Sequence, residues 1–328
     1  CWHCQRWHTP RLDLRGQVLG QRRFGVRLTS LVAYLRTTLR LPIGQIRTYL
    51  ASIHHLRLSA GTIVALLHAA TQQGAEAVRA LQAGIRTSPV VHADETGWRE
   101  RGQNGYIWSF STSGPQAIRY YTYDRSRSGQ VARRVLGRSF HGHLVTDFYA
   151  GYNQMTGRQQ RCWAHLLRDL HTLKEKHGQT VAVRRWTVQV GALYQVAQQR
   201  LRQTPALTPV QRQAFYARLV ERSAALGREY ARVRKHPCQA LAKRLLRHQD
   251  EPFQFVLVEG LSADNNAAER SLRPLVVGRK ISGGSRSAAG SATRMSLASL
   301  FGTWVARDLN PFEECLRMLS AQTPLPQL

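Results

Sequence analysis

Acidic side chains are scarce in this chain, 19 Asp and Glu against 47 Lys and Arg, so their positions are informative. Asp94 closes the apolar run Pro89-Val-Val-His-Ala, and Asp147 closes His143-Leu-Val-Thr. Both are expected at strand ends, where a sheet opens into a cleft. Glu269 lies in Ser262-Ala-Asp-Asn-Asn-Ala-Ala-Glu-Arg-Ser-Leu-Arg273, a segment that opens a helix. Asn265 and Arg273 fall four residues to either side of it, on the same expected face. Three carboxylates converging in a basic cleft suit a divalent cation that prefers oxygen, Mg²⁺ or Mn²⁺, with water and phosphate completing its octahedron. Two such ions can bridge a scissile phosphate, one activating the attacking oxygen and the other stabilising the leaving oxygen. Neighbouring cationic side chains would neutralise the developing charge. Taken singly, each acid could cap a helix or pair with an arginine, as Glu269 could with Arg273. The three together point to phosphoryl transfer.

Sulfur and imidazole offer a second candidate chemistry. Cys1-Trp-His-Cys4 has the spacing of a zinc knuckle, but a structural zinc site takes four ligands. Cys1 and Cys4 supply two; the others would come from upstream or be His3 and His8. Residues 1–15 therefore read as the remnant of a zinc-finger-like segment. Cys162-Trp-Ala-His165 is a further Cys/His pair, open to two readings: zinc ligands completed elsewhere, or a buried thiol beside a DNA-contacting histidine. Five scattered cysteines make no disulfide framework.

The elements that must position these groups follow from periodicity. Residues 27–85 read as helical: Leu28, Leu31, Val32 and Leu35 share one face, and Ile43, Ile46, Leu50 and Ile53 another. Ser59 is the expected N-cap of a third helix. With Arg36, Arg40, Arg47 and Arg57 between them, these helices suit a helix-turn-helix unit or a packing domain with solvated arginines. Strands are expected at Pro89–Asp94, Tyr106–Phe110, Ala117–Tyr123 and His143–Asp147, with another near Cys162-Trp-Ala and a helix at Ser128–Leu136. Residues 165–249 are helical, with breaks near Gly178 and Thr204-Pro205. Phe253–Val258 is a short apolar run, Arg279–Ser291 a glycine/serine/arginine loop, and helices cover Met295–Ala306 and Pro311–Ser320.

Charge names the partner class. The formal net charge is +28 in 328 residues. Self-repulsion of that size disfavours a compact fold without a polyanion, so nucleic acid is the expected partner. Only five of the 47 basic residues are lysines, and the arginine fork matches phosphate oxygens bidentately. Residues 161–250 alone carry 18 basic and 5 acidic side chains. No apolar run is long enough for a membrane span and no signal peptide is evident, so a cytoplasmic, nucleoid-associated protein without a membrane partner is expected. The chain begins at Cys1 rather than Met, which implies residues upstream.

Four motifs now carry a resemblance. His92-Ala-Asp-Glu-Thr-Gly97, Thr146-Asp-Phe-Tyr-Ala-Gly-Tyr152, Cys162-Trp-Ala-His165 with Arg168, and Asp264-Asn-Asn-Ala-Ala-Glu-Arg270 with Arg273 resemble the transposases of the insertion-sequence 66 family, over roughly 85–320. The resemblance implies an α/β fold: a ribonuclease-H-like mixed sheet core of the DDE type, with a helical insertion, preceded by a small helical domain. It implies that Asp94, Asp147 and Glu269 are the catalytic, metal-binding acids, successive members standing 53 and 122 positions apart. The long second gap agrees with the helical stretch between them. It further implies DNA contacts from His165, Arg168, Arg270 and Arg273. The family usually carries a fuller cysteine-rich finger, of which only the last Cys-x-x-Cys stands here. A more aromatic stretch is also expected where Gly283–Ser291 lies.

The expected organisation is therefore a finger remnant at 1–15 and a helical, helix-turn-helix-like domain at 16–86. The catalytic core at 87–160 and 251–328 is split by a basic helical insertion at 161–250. The expected activity is metal-dependent cleavage and strand transfer of double-stranded DNA, element ends and target, by a homo-oligomer on DNA with accessory proteins of the same element. Two alternatives share the fold: a silent DNA-binding relic or repressor, and a metal-dependent nuclease that cuts without joining.

Overall fold

In the computed structural model, which describes residues 2–8, 14–19 and 23–321, four short helices come first. These are α1 (Val26–Thr37), α2 (Ile43–His54), α3 (Ala60–Gln73) and α4 (Ala75–Thr87). Ser59 caps α3 as expected, accepting from the Thr62 N–H at 3.0 Å. Ile46 and Leu50 of α2 are fully buried, but Ile53, in its last turn, is exposed.

The sheet follows from strong alternation. Strands β1 (Val90–Glu100) and β2 (Gln103–Ser111) form a hairpin whose two-residue loop, Arg101-Gly102, has both φ angles positive at 53° and 77°. That turn matches the right-handed twist of the strands it joins. Strand β3 (Arg119–Asp124), helix α5 (Gln130–Leu136), and strands β4 (His143–Thr146) and β5 (Arg158–Arg161) complete the sheet in the order β3-β2-β1-β4-β5. Pairs β1–β2 and β2–β3 are antiparallel; β1–β4 and β4–β5 are parallel. The sequence placed the last strand near Cys162-Trp-Ala. It lies just before, in Arg158-Gln-Gln-Arg161, a polar run with no alternation to betray it.

Helices α6 (Trp163–His177), α7 (Val181–Arg202), α8 (Pro209–Ala231), α9 (Gln239–Arg247) and the single turn α10 (Gln254–Leu257) follow. Two of their breaks fall where Gly178 and Thr204-Pro205 suggested; a third, between Ala231 and Gln239, was not expected. The apolar run at 253–258 ends a 3-10 turn and forms α10 rather than extended chain. The chain ends in α11 (Asn266–Ser282), α12 (Ala288–Ala306) and α13 (Pro311–Ser320). The expected 279–291 loop shrinks to the residues between α11 and α12. Gly283 and Gly284, at positive φ of 71° and 119°, stop one helix, and the Ser287 side chain caps the next.

Period two divides the sheet faces. Val91, Ala93, Trp108 and Phe110 pack with Val131, Ala132 and Val135 of α5 on one side. On the other, Trp98, Ile107 and Tyr121 meet Leu272 and Leu275 of α11 and Met295 of α12. A separate core joins α6–α10 through Trp163, Trp186, Phe215 and Phe253. A further one joins α1–α4 to α12 and α13, from Val32 and Leu50 to Phe301 and Leu319. The architecture is mixed α/β. Among the described residues no helix is long and apolar enough to cross a membrane.

Candidate active site

The two aspartates reach one place because their strands are neighbours in register. His92 pairs with Val145 across the parallel β1–β4 contact, and Asp94 and Asp147 each lie two residues further on. Asp147 follows the end of β4 as expected, but Asp94 lies inside β1, which runs on past it to Glu100 in its hairpin with β2. The carboxylates are held by local backbone: Asp94 accepts from the Glu95 N–H at 2.9 Å, and Asp147 from the Tyr149 N–H at 2.8 Å. Burial pushes the Asp94 carboxyl up to about 7, and the negative charges of Glu95, Asp147 and Glu269 push the same way. All three neighbours therefore lie within electrostatic reach of Asp94.

Glu269 arrives from the first turn of α11. Asn265, expected to share its exposed face, is instead fully buried and acts as an anchor. Its Nδ2 donates to the Ala93 carbonyl at 2.8 Å, and its backbone N–H donates to Cys162 Sγ at 3.1 Å. One residue thus ties the start of α11 to β1 and to the start of α6. Glu269 makes no ion pair with Arg273. Its Oε1 faces His165 Nε2 at 3.7 Å and is buried without a hydrogen-bond partner, as is His165 Nδ1.

A carboxylate oxygen left without a donor, within electrostatic reach of an aspartyl group whose pKa is raised by burial and then by like charge, is the donor chemistry of a hard divalent cation. The residues fit such an ion in kind and in electrostatic reach. As the side chains stand, no group of three or more His, Cys, Asp or Glu among the described residues is gathered closely enough to hold a metal.

Two supports behind the acids carried no role in the sequence reading. Glu95, with only 2% of its side chain exposed, pairs with Arg127 at 2.8 Å and accepts from the Tyr152 hydroxyl at 2.6 Å. The Arg127 guanidinium lies 4.3 Å from the Tyr149 ring centroid, and the Tyr149 hydroxyl donates to the Arg127 carbonyl at 2.6 Å. Tyr149 and Tyr152 stand in the same motif as Asp147, which was the available signal. Arg161, fully buried, donates to Thr146 Oγ1, the Asp147 carbonyl and Asn153 Oδ1, and pairs with Glu251 at 2.5 Å. Nothing in the sequence distinguished this arginine from 41 others. Its pairing closes the base of the helical stretch, where Gln160 also bonds Pro252 and Phe255.

Of the expected DNA contacts, Arg168, Arg270 and Arg273 are exposed and His165 is half-buried beside Glu269. Arg270 lies close enough to His92 to act on its charge; burial is the main cause that lowers the His92 imidazole to about 4. In the helical stretch Arg184, Arg185, Arg232 and Arg234 are exposed. Cys162 is buried on the Asn265 N–H, which favours its structural reading. Of the zinc pair, Cys1 lies outside the described residues, while Cys4 Sγ faces His8 Nε2 at 2.8 Å.

The arrangement brings carboxylate oxygens, the donor type a hard divalent cation takes, near the exposed Arg168, Arg270 and Arg273. A family model described as "Transposase IS66 family" matches residues 21–293, which contain all three acids and the helical stretch between them. No curated protein matches the chain.

Proposed function

Because the chain belongs to the IS66 transposase family, we propose that it carries out the cleavage and joining steps of DNA transposition. On this reading the mixed sheet is a ribonuclease-H-like core, formed by 87–160 and 251–328. The segment 161–250 is its basic insertion, and 16–86 a DNA-binding domain preceded by a finger remnant. The observation that carries the reading is the register of Asp94 and Asp147 on adjacent parallel strands, with Glu269 anchored beside them through Asn265.

Asp94, Asp147 and Glu269 would hold Mg²⁺ or Mn²⁺, as two ions. Bound there, the cations supply a lowered pKa for an attacking water and charge stabilisation for the leaving oxygen. Asp94 would serve as a ligand in its carboxylate form. Asn265 keeps the start of the Glu269 helix against β1 at Ala93, and Arg161 holds the Asp147 carbonyl. Arg168, Arg270, Arg273 and His165 receive the DNA backbone, neutralising phosphate charge next to the acids. Hydrolysis at an element end frees a 3′-hydroxyl; that hydroxyl attacks a target phosphodiester and displaces its 3′-oxygen. The partners are double-stranded DNA, a second copy on the synaptic complex, and accessory proteins of the same element, in the bacterial nucleoid.

A strand-transfer assay with the terminal inverted repeats flanking the gene tests this. The expected product is a joined DNA that requires Mg²⁺ or Mn²⁺ and each of the three acids. Binding without cutting would make the chain a relic or repressor. Cutting without joining would make it a nuclease.

A further inference from the structure

Arg294 lies inside α12 with 8% of its surface exposed. Among the described residues it forms no ion pair, and its buried Nη1 has no hydrogen-bond partner. Its guanidinium lies 5.9 Å from the centroid of Trp98 on β1. The backbone of α11 makes way for it: a Cβ on Gly278 would come into contact with Arg294 Nη2, so a side chain there would push the guanidinium aside. Burial lowers the group to about 9, helped by the charge of Arg36, so it remains protonated at neutral pH. A buried, unpaired cation costs several kcal/mol, and such groups are ordinarily matched by a counter-charge.

Arg294 borders two cavities. One of about 200 Å³ is lined by Arg36, His68, Trp98, Ser285 and Arg286; the other, of about 180 Å³, by Arg40 and Tyr121. Neither lining contains an Asp or Glu. Ser287 and Gly290, at the start of the 19-residue helix α12, form part of the larger cavity wall and bring its positive end to it. Arg36 is already engaged, donating to the Leu41 carbonyl at 2.9 Å, so the unsatisfied donor is Arg294.

We propose that Arg294, with Arg36, Arg286 and the first turn of α12, forms a binding site for a phosphate oxyanion, carried by a nucleic-acid backbone or free in solution. The site shares two elements with the acidic cluster. Trp98 lies four residues along β1 from Asp94, about 13 Å, and Gly278 nine residues along α11 from Glu269, about 13 Å. A DNA strand crossing the acids can therefore place a second phosphate here. This gives the glycine/serine/arginine segment after α11 a role. The nucleic-acid source rests on the function proposed above; the free-phosphate source does not.

The test is thermal unfolding of the full chain at constant ionic strength, with inorganic phosphate or a short DNA duplex replacing chloride. Phosphate should raise Tm saturably in the wild type. Arg294→Met should abolish that rise while keeping or improving Tm in chloride, because the buried charge is gone. Gly278→Ala, which displaces the guanidinium and leaves the charge, should weaken the rise; Arg138→Met, at an exposed position after α5, should leave it intact. No saturable rise in the wild type, or an equal rise in Arg294→Met, overturns the assignment. If Arg294→Met does not fold, an undiminished rise in Gly278→Ala overturns it instead. The source is read from duplex binding. A log–log salt slope reduced by about one in Arg294→Met, with competition by free phosphate, identifies a backbone phosphate. An unchanged slope with the phosphate response retained in the wild type identifies the free ion. Loss of strand transfer elsewhere leaves both readouts untouched, so the two proposals fail separately.

Discussion

Arg161 Nη1 donates to the backbone carbonyl of Asp147 at 2.8 Å, and the same guanidinium holds Glu251 at 2.5 Å. One buried fork thus fixes the strand end that carries an acid and the point where the helical stretch returns to the sheet. Arg161→Met leaves Glu251 with only His248 and frees the 147–153 turn. Breaking a buried pair from one side costs about 3–5 kcal/mol. Denaturant unfolding should give a loss near the lower figure, because the Glu251 side chain is 23% exposed. A loss below about 1 kcal/mol would return Arg161 to an ordinary packing role.

Asp94→Ala, Asp147→Ala and Glu269→Ala should each abolish cleavage while sparing DNA affinity. The arginines supply affinity by counterion release, and the acids serve the cation. Gel-shift and cleavage assays on the same preparations check this. Any one variant that cuts like the wild type removes that residue from the set.

With divalent cations chelated, Asp94→Asn should stabilise the protein. The Asp94 carboxyl stands at about 7 in the folded chain against an ordinary 3.8, so the folded state binds the proton over that range and the unfolded state does not. Stability therefore falls as pH rises between these values. Asn mimics the neutral acid, and its gain in Tm, roughly a few degrees, should be small near pH 4 and largest above pH 7. A gain independent of pH would mean that burial and like charge are not what hold the proton.

Reversing the charge of Arg184, Arg185, Arg232 and Arg234 should weaken duplex binding and flatten its salt dependence with the fold intact. All four are exposed in a segment with 13 more basic than acidic residues. The log–log slope counts phosphates neutralised. An unchanged slope would leave these arginines as a solvated face.

The acids were legible because each ends an apolar run or opens a helix, and because acids are rare here. Strands β1 and β4 were legible as short apolar runs, and β2 and β3 through alternation and aromatic content. Strand β5 was not: Arg158-Gln-Gln-Arg161 owes its burial to partners such as Glu251 and Pro252, some 90 residues on. Asn265 looked like a surface amide by helical spacing, yet it stands at the N-cap position, where its amide turns inward to Ala93. Spacing also marked the apolar faces of α1 to α3 without saying what covers them. Local pattern tells which side of an element avoids water; the chain that covers it is settled by tertiary geometry.

That cover has a consequence for how the protein is made. Val32, Leu50 and Ile63 of the first three helices bury against Leu297, Phe301 and Leu319. Helices α1 to α3 leave the ribosome well before α12 and α13 and cannot complete their core until those two have been synthesised. Until then their apolar faces can meet only one another, and a long loop must close before the remaining native contact forms. The N-terminal helices and the helices that follow Glu269 therefore become native together, so a truncated nascent chain carries neither in finished form.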